Sequence, residues 1–225
     1  MIRLFDILFS FLAIAILSPL FILVMLILKM TGEGEVFFIQ NRIGKDGKTF
    51  GLIKFVTMVK DSPNIGTGTV TVKGDPRILP VGSVLRKTKI NELPQLFNIL
   101  LADMSVIGPR PLTNDSFSAY PRTTQDIIKK VCPGLSGIGS IIFRKEEEIL
   151  SGQNRGIDFY RNILAPYKGK LEEWFVEHNN IKIYFSAISV TLWVVISPKS
   201  PLPWFIFKNL PTPPNQLKKL LNFPS

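Results

Sequence analysis

Arg86-Lys-Thr-Lys-Ile-Asn-Glu-Leu-Pro-Gln-Leu-Phe-Asn-Ile-Leu-Leu-Ala-Asp-Met-Ser-Val-Ile-Gly-Pro-Arg-Pro111 is the stretch around which the chain is organised. Three cations, Arg86, Lys87 and Lys89, precede an Asn91-Glu92 pair. An apolar series at helical spacing follows: Leu93, Leu96, Phe97, Leu100 and Leu101. That period predicts a helix from near residue 91 to near Ala102, with Asn91 as its N-cap and Pro94 in its first turn. Free amides and the helix dipole favour an anion at such a start, and the cations add charge of the right sign. A carboxylate beside a bound phosphate can attack it or hold a metal on it. A capped amphipathic helix with solvated charges fits the same spacing.

The chain has 225 residues, enough for one domain with attachments. Its formal net charge is +10. Nucleic acid, an anionic membrane face and phosphate-bearing substrates all suit that balance. Nucleic acid fits least, because 46% of the residues are hydrophobic and no nucleic-acid-binding motif is visible. The one cysteine, Cys132, excludes an intrachain disulfide framework. With it and the one histidine, His178, a zinc site of the usual kind is not supported.

Ile7 to Leu28 carries no charged residue, and this run of about 22 positions is long enough for a membrane helix. It is too long for a signal peptide, and Lys29-Met-Thr-Gly-Glu-Gly-Glu35 is not a small-residue cleavage site. Ser18-Pro19 in its middle predicts a kink, with Ser18 available to the carbonyl that Pro19 frees. Arg3 and Lys29 flank the run, so the positive-inside rule draws both ends toward the cytoplasm. A straight span with a short exterior N-terminus remains the alternative.

Glu35 to Phe55 is expected to be a β-hairpin turning at Gly44-Lys-Asp-Gly47, with Lys54 near the end of its second strand. Asp61 to Pro80 is a Gly-, Thr- and Pro-rich loop that holds Asp75-Pro-Arg-Ile78. Short helical material is expected within Thr113 to Lys130. The glycines of Val131-Cys-Pro-Gly-Leu-Ser-Gly-Ile-Gly139 lack the strand and helix context of a dinucleotide loop. Glu146-Glu-Glu148 is expected as a solvated helix start, and Phe159 to Trp174 as an amphipathic helix, with His178 structural or on the surface. Ile181 to Ile196 is too short to span comfortably and suits an in-plane or core helix. Leu202 to Leu210 and Leu217 to Leu221 mix aromatics, leucines and lysines as interfacial segments do; a disordered tail is the alternative there.

Several of these segments resemble the bacterial sugar transferases, the monotopic phosphoglycosyl transferases. The matching residues are Asn91-Glu-Leu-Pro-Gln95, Asp103-Met-Ser105, Gly108-Pro-Arg-Pro111, Arg3-Leu-Phe-Asp6, Val36-Phe-Phe-Ile-Gln-Asn-Arg-Ile-Gly44, Lys54-Phe-Val-Thr-Met58 and Pro133-Gly-Leu-Ser-Gly137. The resemblance implies an α/β-type (α+β, helix-rich) fold. It implies a re-entrant membrane helix-hairpin over residues 1–30, a catalytic domain over 31–196, and a membrane-associated tail over 197–225. It implies transfer of a sugar-1-phosphate from a UDP-sugar to undecaprenyl phosphate, with release of UMP, at the cytoplasmic leaflet of a bacterial inner membrane. Exopolysaccharide or lipopolysaccharide assembly is the setting, Mg2+ is the cofactor, and a homodimer and downstream glycosyltransferases are candidate partners.

By the same resemblance Asn91 and Glu92 are the catalytic and metal-binding pair. Lys54, Arg77, Arg86, Arg110 and Arg144 are the cationic binding set. Without the family, Lys54 is a strand-end surface lysine and Arg77 a solvated loop arginine. The family's usual nucleophile is an Asp where this chain has Asn91, and its arginine is here Val56. Either Glu92 takes over as nucleophile or main metal ligand, or Asn91 orients the lipid phosphate for direct attack, or the chain is weak or inactive. A membrane scaffold that binds polyprenyl phosphate or nucleotide sugar is the rival reading. A single-span membrane protein with a basic cytosolic domain is another.

Overall fold

A computed structural model describes residues 1–31, 34–65, 75–144, 146–150 and 157–224. The fold is mixed and helix-rich, as expected. Its elements run α1 (Ile2–Met30), β1 (Phe37–Ile43), β2 (Thr49–Phe55), α2 (Pro80–Lys87), α3 (Gln95–Leu100), β3 (Ser105–Ile107), α4 (Asn114–Ser118) and α5 (Arg122–Ile128). They continue with β4 (Gly134–Ser136), α6 (Ile138–Ile142), α7 (Glu146–Leu150), α8 (Ile157–Phe159), α9 (Ala165–His178), α10 (Ile181–Ile196), α11 (Leu202–Ile206) and α12 (Asn215–Lys218). The chain divides into two compact units. The first is Met1–Asp6, Arg42–Phe50 and Ala102–Ser225; the second is Ile7–Asn41 and Gly51–Leu101. Residues 66–74 of the expected long loop lie outside the described residues.

α1 contributes most of its length to the second unit. It is continuous through Pro19 over 29 residues, which is about 43 Å at helical rise, so it is long enough to cross a membrane. Pro19 has no N–H to give the Ala15 carbonyl. Ser18 Oγ donates to that oxygen instead, at 2.9 Å, as the sequence led us to expect. One face of α1 buries Phe21, Val24 and Leu28. Phe21 packs edge-on to Phe97 and tilts on Phe55, which stacks on Phe37 of the hairpin. Leu12, Ile16, Leu23 and Leu26 are exposed, an apolar surface that no other described part of this unit covers. Asn98 of α3 ties the strand to the helix: its Nδ2 donates to the Gly51 carbonyl at 2.8 Å, and its Oδ1 accepts from the Ile53 amide at 3.0 Å.

The first unit is built on a short parallel pair, β3 with β4, in the register Ser105 to Gly134 and Ile107 to Ser136. A parallel pair needs a crossover, and α4 and α5 supply it. Tyr184, Ala187, Val190 and Val194 of α10 are buried, while Leu192, Trp193, Val195 and Ile196 are exposed. One face of α10 is thus packed in the core, the core-helix expectation, and the opposite face is left exposed and apolar. The hairpin tip belongs to this unit. Arg42 Nη1 donates to the Pro111 carbonyl, Ile43 N to Leu112, and Asp46 N to Lys129. The chain end is folded rather than disordered: Leu217 is buried, Trp204 Nε1 donates to the Leu221 carbonyl at 3.1 Å, and Tyr167 donates to Pro211 at 2.7 Å.

Asp6 fixes the start of α1 within this unit. It is only 2% exposed, and its Oδ1 accepts from Ser105 Oγ at 2.9 Å, from the Val106 amide at 2.9 Å and from the Tyr184 hydroxyl at 2.8 Å. Three donors on one carboxylate oxygen offset the cost of burying it. The Arg-Leu-Phe-Asp and Asp-Met-Ser segments therefore meet here, with Met104 fully buried beside them.

Candidate functional site

The Asn91-Glu92 pair sits in the second unit, but not at a helix start. α2 ends on Arg86 and Lys87, and Lys89 then takes a left-handed conformation, φ 60°. A 3-10 turn, Ile90–Glu92, follows, and α3 begins only after Pro94. The hydrogen bonds here run three residues back: Glu92 N to Lys89 O, Leu93 N to Ile90 O, Leu96 N to Leu93 O, and Phe97 N to Pro94 O. The expected helix from 91 to 102 is therefore corrected to two short pieces, and Asn91 is not an N-cap. Two features interrupt the ladder: Lys89 turns the chain in, and Pro94 has no N–H to continue it. Ala102, at φ 70°, ends the run.

Asn91 is 7% exposed, and its Oδ1 is buried without a hydrogen-bond partner among the described residues. Such an orphaned acceptor costs about 1–3 kcal/mol. Next to it, Glu92 is half-buried, as are Arg86 at the end of α2 and Lys54 on β2. Asn91 Oδ1 and the Glu92 carboxylate are successive hard-oxygen donors along this turn, the ligand type magnesium takes, with substrate phosphates and water completing its shell.

Arg77 departs from the solvated-loop expectation made for it. It is 5% exposed, so it is not a solvated loop arginine. Its Nε and Nη2 donate to the two oxygens of Asp75 at 2.8 and 2.6 Å, and its Nη1 donates to the Ser62 and Ile65 carbonyls at 2.7 and 2.8 Å. These bonds make Arg77 the clamp of its loop. Asp75-Pro-Arg-Ile78 is organised by a buried bidentate pair that leaves few donors for a phosphate.

Arg110 and Arg144 lie in the first unit, both exposed. Arg110 follows β3, where the backbone is crowded. Gly108 N donates to the Ser136 carbonyl at 2.9 Å, and Gly134 N to the Pro109 carbonyl at 2.8 Å. A Cβ on Gly134 would overlap the Gly108 amide, and one on Gly137 would overlap the Gly108 carbonyl. The Gly-Pro-Arg-Pro and Pro-Gly-Leu-Ser-Gly segments are thus two sides of one close backbone contact that presents Arg110 at its edge.

Behind this contact lies a residue the sequence reading did not single out, Glu172 of α9, 1% exposed. Its Oε1 accepts from the Arg110 amide at 3.5 Å, and its Oε2 has no hydrogen-bond partner among the described residues. Burial pushes its carboxyl up from 4.5 to about 7, opposed by Lys168, by the Arg110 amide and charge, and by the Gly139 amide. Lys168 stands four residues earlier, where an i, i+4 pair would be read from sequence. Its ammonium instead binds Glu146 Oε2 at 2.6 Å. The expectation of a solvated Glu146 is corrected accordingly. Asp6, Asn98 and Glu172 were all missed as organisers. Asp6 alone had a signal, as an acidic residue beside an uncharged apolar run.

The family model of the bacterial sugar transferases matches residues 1–198. The exopolysaccharide production protein ExoY of Sinorhizobium fredii is 37% identical over 64% of this chain and 70% of its own length. The undecaprenyl-phosphate galactose phosphotransferase of Salmonella typhimurium is 32% identical over 84% of this chain and 40% of its own length. The UDP-glucose:undecaprenyl-phosphate glucose-1-phosphate transferase of Escherichia coli is 32% identical over 81% of this chain and 38% of its own length. The chain belongs to the bacterial sugar transferase family.

Proposed function

We propose that this chain transfers a sugar-1-phosphate from a UDP-sugar to undecaprenyl phosphate and releases UMP, as the first membrane step of surface polysaccharide or glycoconjugate synthesis. Relatives named for this reaction support it, and they differ in sugar, which leaves the donor to experiment. The observation that carries the reading is the Asn91-Glu92 turn, where a buried oxygen without a partner among the described residues is followed in sequence by a half-buried carboxylate, after a cationic helix end.

In the transfer, a P–O bond forms at the sugar-bearing phosphorus and the bond to the UMP oxygen breaks. Glu92 is the essential carboxylate, as nucleophile or as main metal ligand. Lys54 and Arg86 in the second unit, and Arg110 and Arg144 in the first, are each offered as cations for substrate phosphates. Glu92 and Asn91 Oδ1 would hold magnesium, whose charge offsets the repulsion between two anionic substrates. The lipid acceptor requires a site at headgroup height. The exposed apolar faces of α1 and α10, and the cations Arg3 and Lys29 at both ends of α1, support seating on the cytoplasmic leaflet of the inner membrane, with α1 re-entrant.

A non-catalytic scaffold that binds the same ligands is the second reading. The observation that favours it is the amide at position 91, which has no charged oxygen with which to attack. The test is UMP release by the nanodisc-held chain given undecaprenyl phosphate, magnesium and UDP-sugars one at a time. Release with one sugar, dependent on lipid and metal, is the expected result. No release with any donor, beside a working family member, would put the scaffold first.

A further inference from the structure

Glu172 has no part in the reaction just described, yet it lies against the segment that carries Arg110. The Arg110 amide donates to Oε1, the Gly139 amide offers a second hydrogen bond, and a Cβ on Gly139 would overlap Oε1. Oε2 is enclosed and has no hydrogen-bond partner among the described residues. The other groups that face it are accounted for. Lys168, on the same helix, is committed to Glu146 of α7. The Arg110 guanidinium is exposed at the other end of its side chain. The Tyr120 and Tyr160 hydroxyls stay neutral, both pushed up by burial and Tyr120 further by Glu172 itself.

We infer that Glu172 is a positioning residue for Arg110, whose carboxylate grips the Arg110 amide from behind and whose proton, when bound, loosens that grip. The inference rests on the reading that Arg110 meets a substrate phosphate. A neutral carboxyl accepts an amide hydrogen bond more weakly than a carboxylate does, because charge-assisted bonds are about twice as strong as neutral ones. Burial pushes the carboxyl up to about 7, so the grip is expected to change around neutral pH. A Cβ on Gly137, the residue after β4, would lie 3.8 Å from Oε2, so the carboxylate also lies against the end of that strand.

Hydrogen exchange of the Arg110 amide in the full chain tests this directly, since Pro109 and Pro111 leave it the sole backbone N–H of residues 109–111. After correction for intrinsic exchange, protection is expected to rise about fivefold between about pH 6 and about pH 8. In Glu172→Gln the step should vanish. Gly139→Ala, which displaces the carboxyl but keeps it, should reduce the step as well. A parent with no step, or a Glu172→Gln variant with the parent's step, overturns the proposal, and the parent measurement stands even if a variant fails to fold. The functional arm is the KM for a UDP-sugar, whose pyrophosphate does not titrate in this window. It should fall with rising pH in the parent and stay flat in Glu172→Gln, with kcat at saturating donor changed less; parallel pH profiles overturn the proposal. If no UDP-sugar is turned over, the transferase reading fails, while the exchange result still decides whether Glu172 holds Arg110.

Discussion

Each unit holds a buried side-chain oxygen without a hydrogen-bond partner among the described residues, one inside the 86–111 segment and one on α9, and the two oxygens differ in kind. In the second unit it is Asn91 Oδ1, an amide that cannot titrate, in a turn tightened by a left-handed lysine. In the first unit it is Glu172 Oε2, of a carboxyl that burial pushes up to about 7, behind a contact of glycine backbones. Burial cost is common to both. The amide keeps its acceptor at any pH, as a ligand position requires. The carboxylate changes with pH, as a support that can be loosened does. An orphaned polar atom is therefore not one signal: its protonation chemistry separates a candidate ligand from a candidate adjuster.

The comparison breaks most sharply at Glu92. Glu92→Gln should lower UMP release by at least about 100-fold, the scale of losing a group that acts on the transition state. Full activity in the same membrane preparation would remove Glu92 from the mechanism. On the other side, Glu172 predicts a stability effect with a definite sign. Its pKa is raised on folding, so the stability it confers is present below about pH 4.5 and is lost as pH rises toward 7. Between about pH 5 and about pH 8 the parent should lose up to about 3 kcal/mol that Glu172→Gln does not lose. Equal pH dependence of unfolding in the two proteins would sink this.

Asn91→Leu sharpens the contrast at smaller scale. Replacing an unsatisfied amide by an apolar group of similar size should raise stability by about 1 kcal/mol. It should also raise the magnesium needed for half-maximal activity by about tenfold. A variant that is less stable and unchanged in its metal requirement would mean that the orphaned oxygen is no ligand. The smallest effect is at Lys89. Lys89→Gly relieves a left-handed conformation and should raise the unfolding midpoint by the equivalent of about 1 kcal/mol. No gain would show that the lysine's own contacts offset the strain.

Sequence alone determined a great deal of this protein. The uncharged run with cations at both ends predicts α1, and Ser18 predicts the repair of the Pro19 gap. Period and turn residues predict the hairpin and α10, and the order of short motifs identifies the family. These features are local in the chain, so residue type and spacing suffice to read them. Other features are contacts between residues far apart in sequence, and only the tertiary structure decided them. Asp6 takes its donors from Ser105, Val106 and Tyr184. Arg77 is spent on its own loop because the chain returns through Ser62 and Ile65. Lys168 finds Glu146 rather than the carboxylate one turn along its own helix. Asn91 and Glu172 look like an ordinary cap and an ordinary surface acid in one dimension. Burial makes them otherwise, because the value of a polar atom is set by whether water or a partner reaches it, and the chain's path through space decides that.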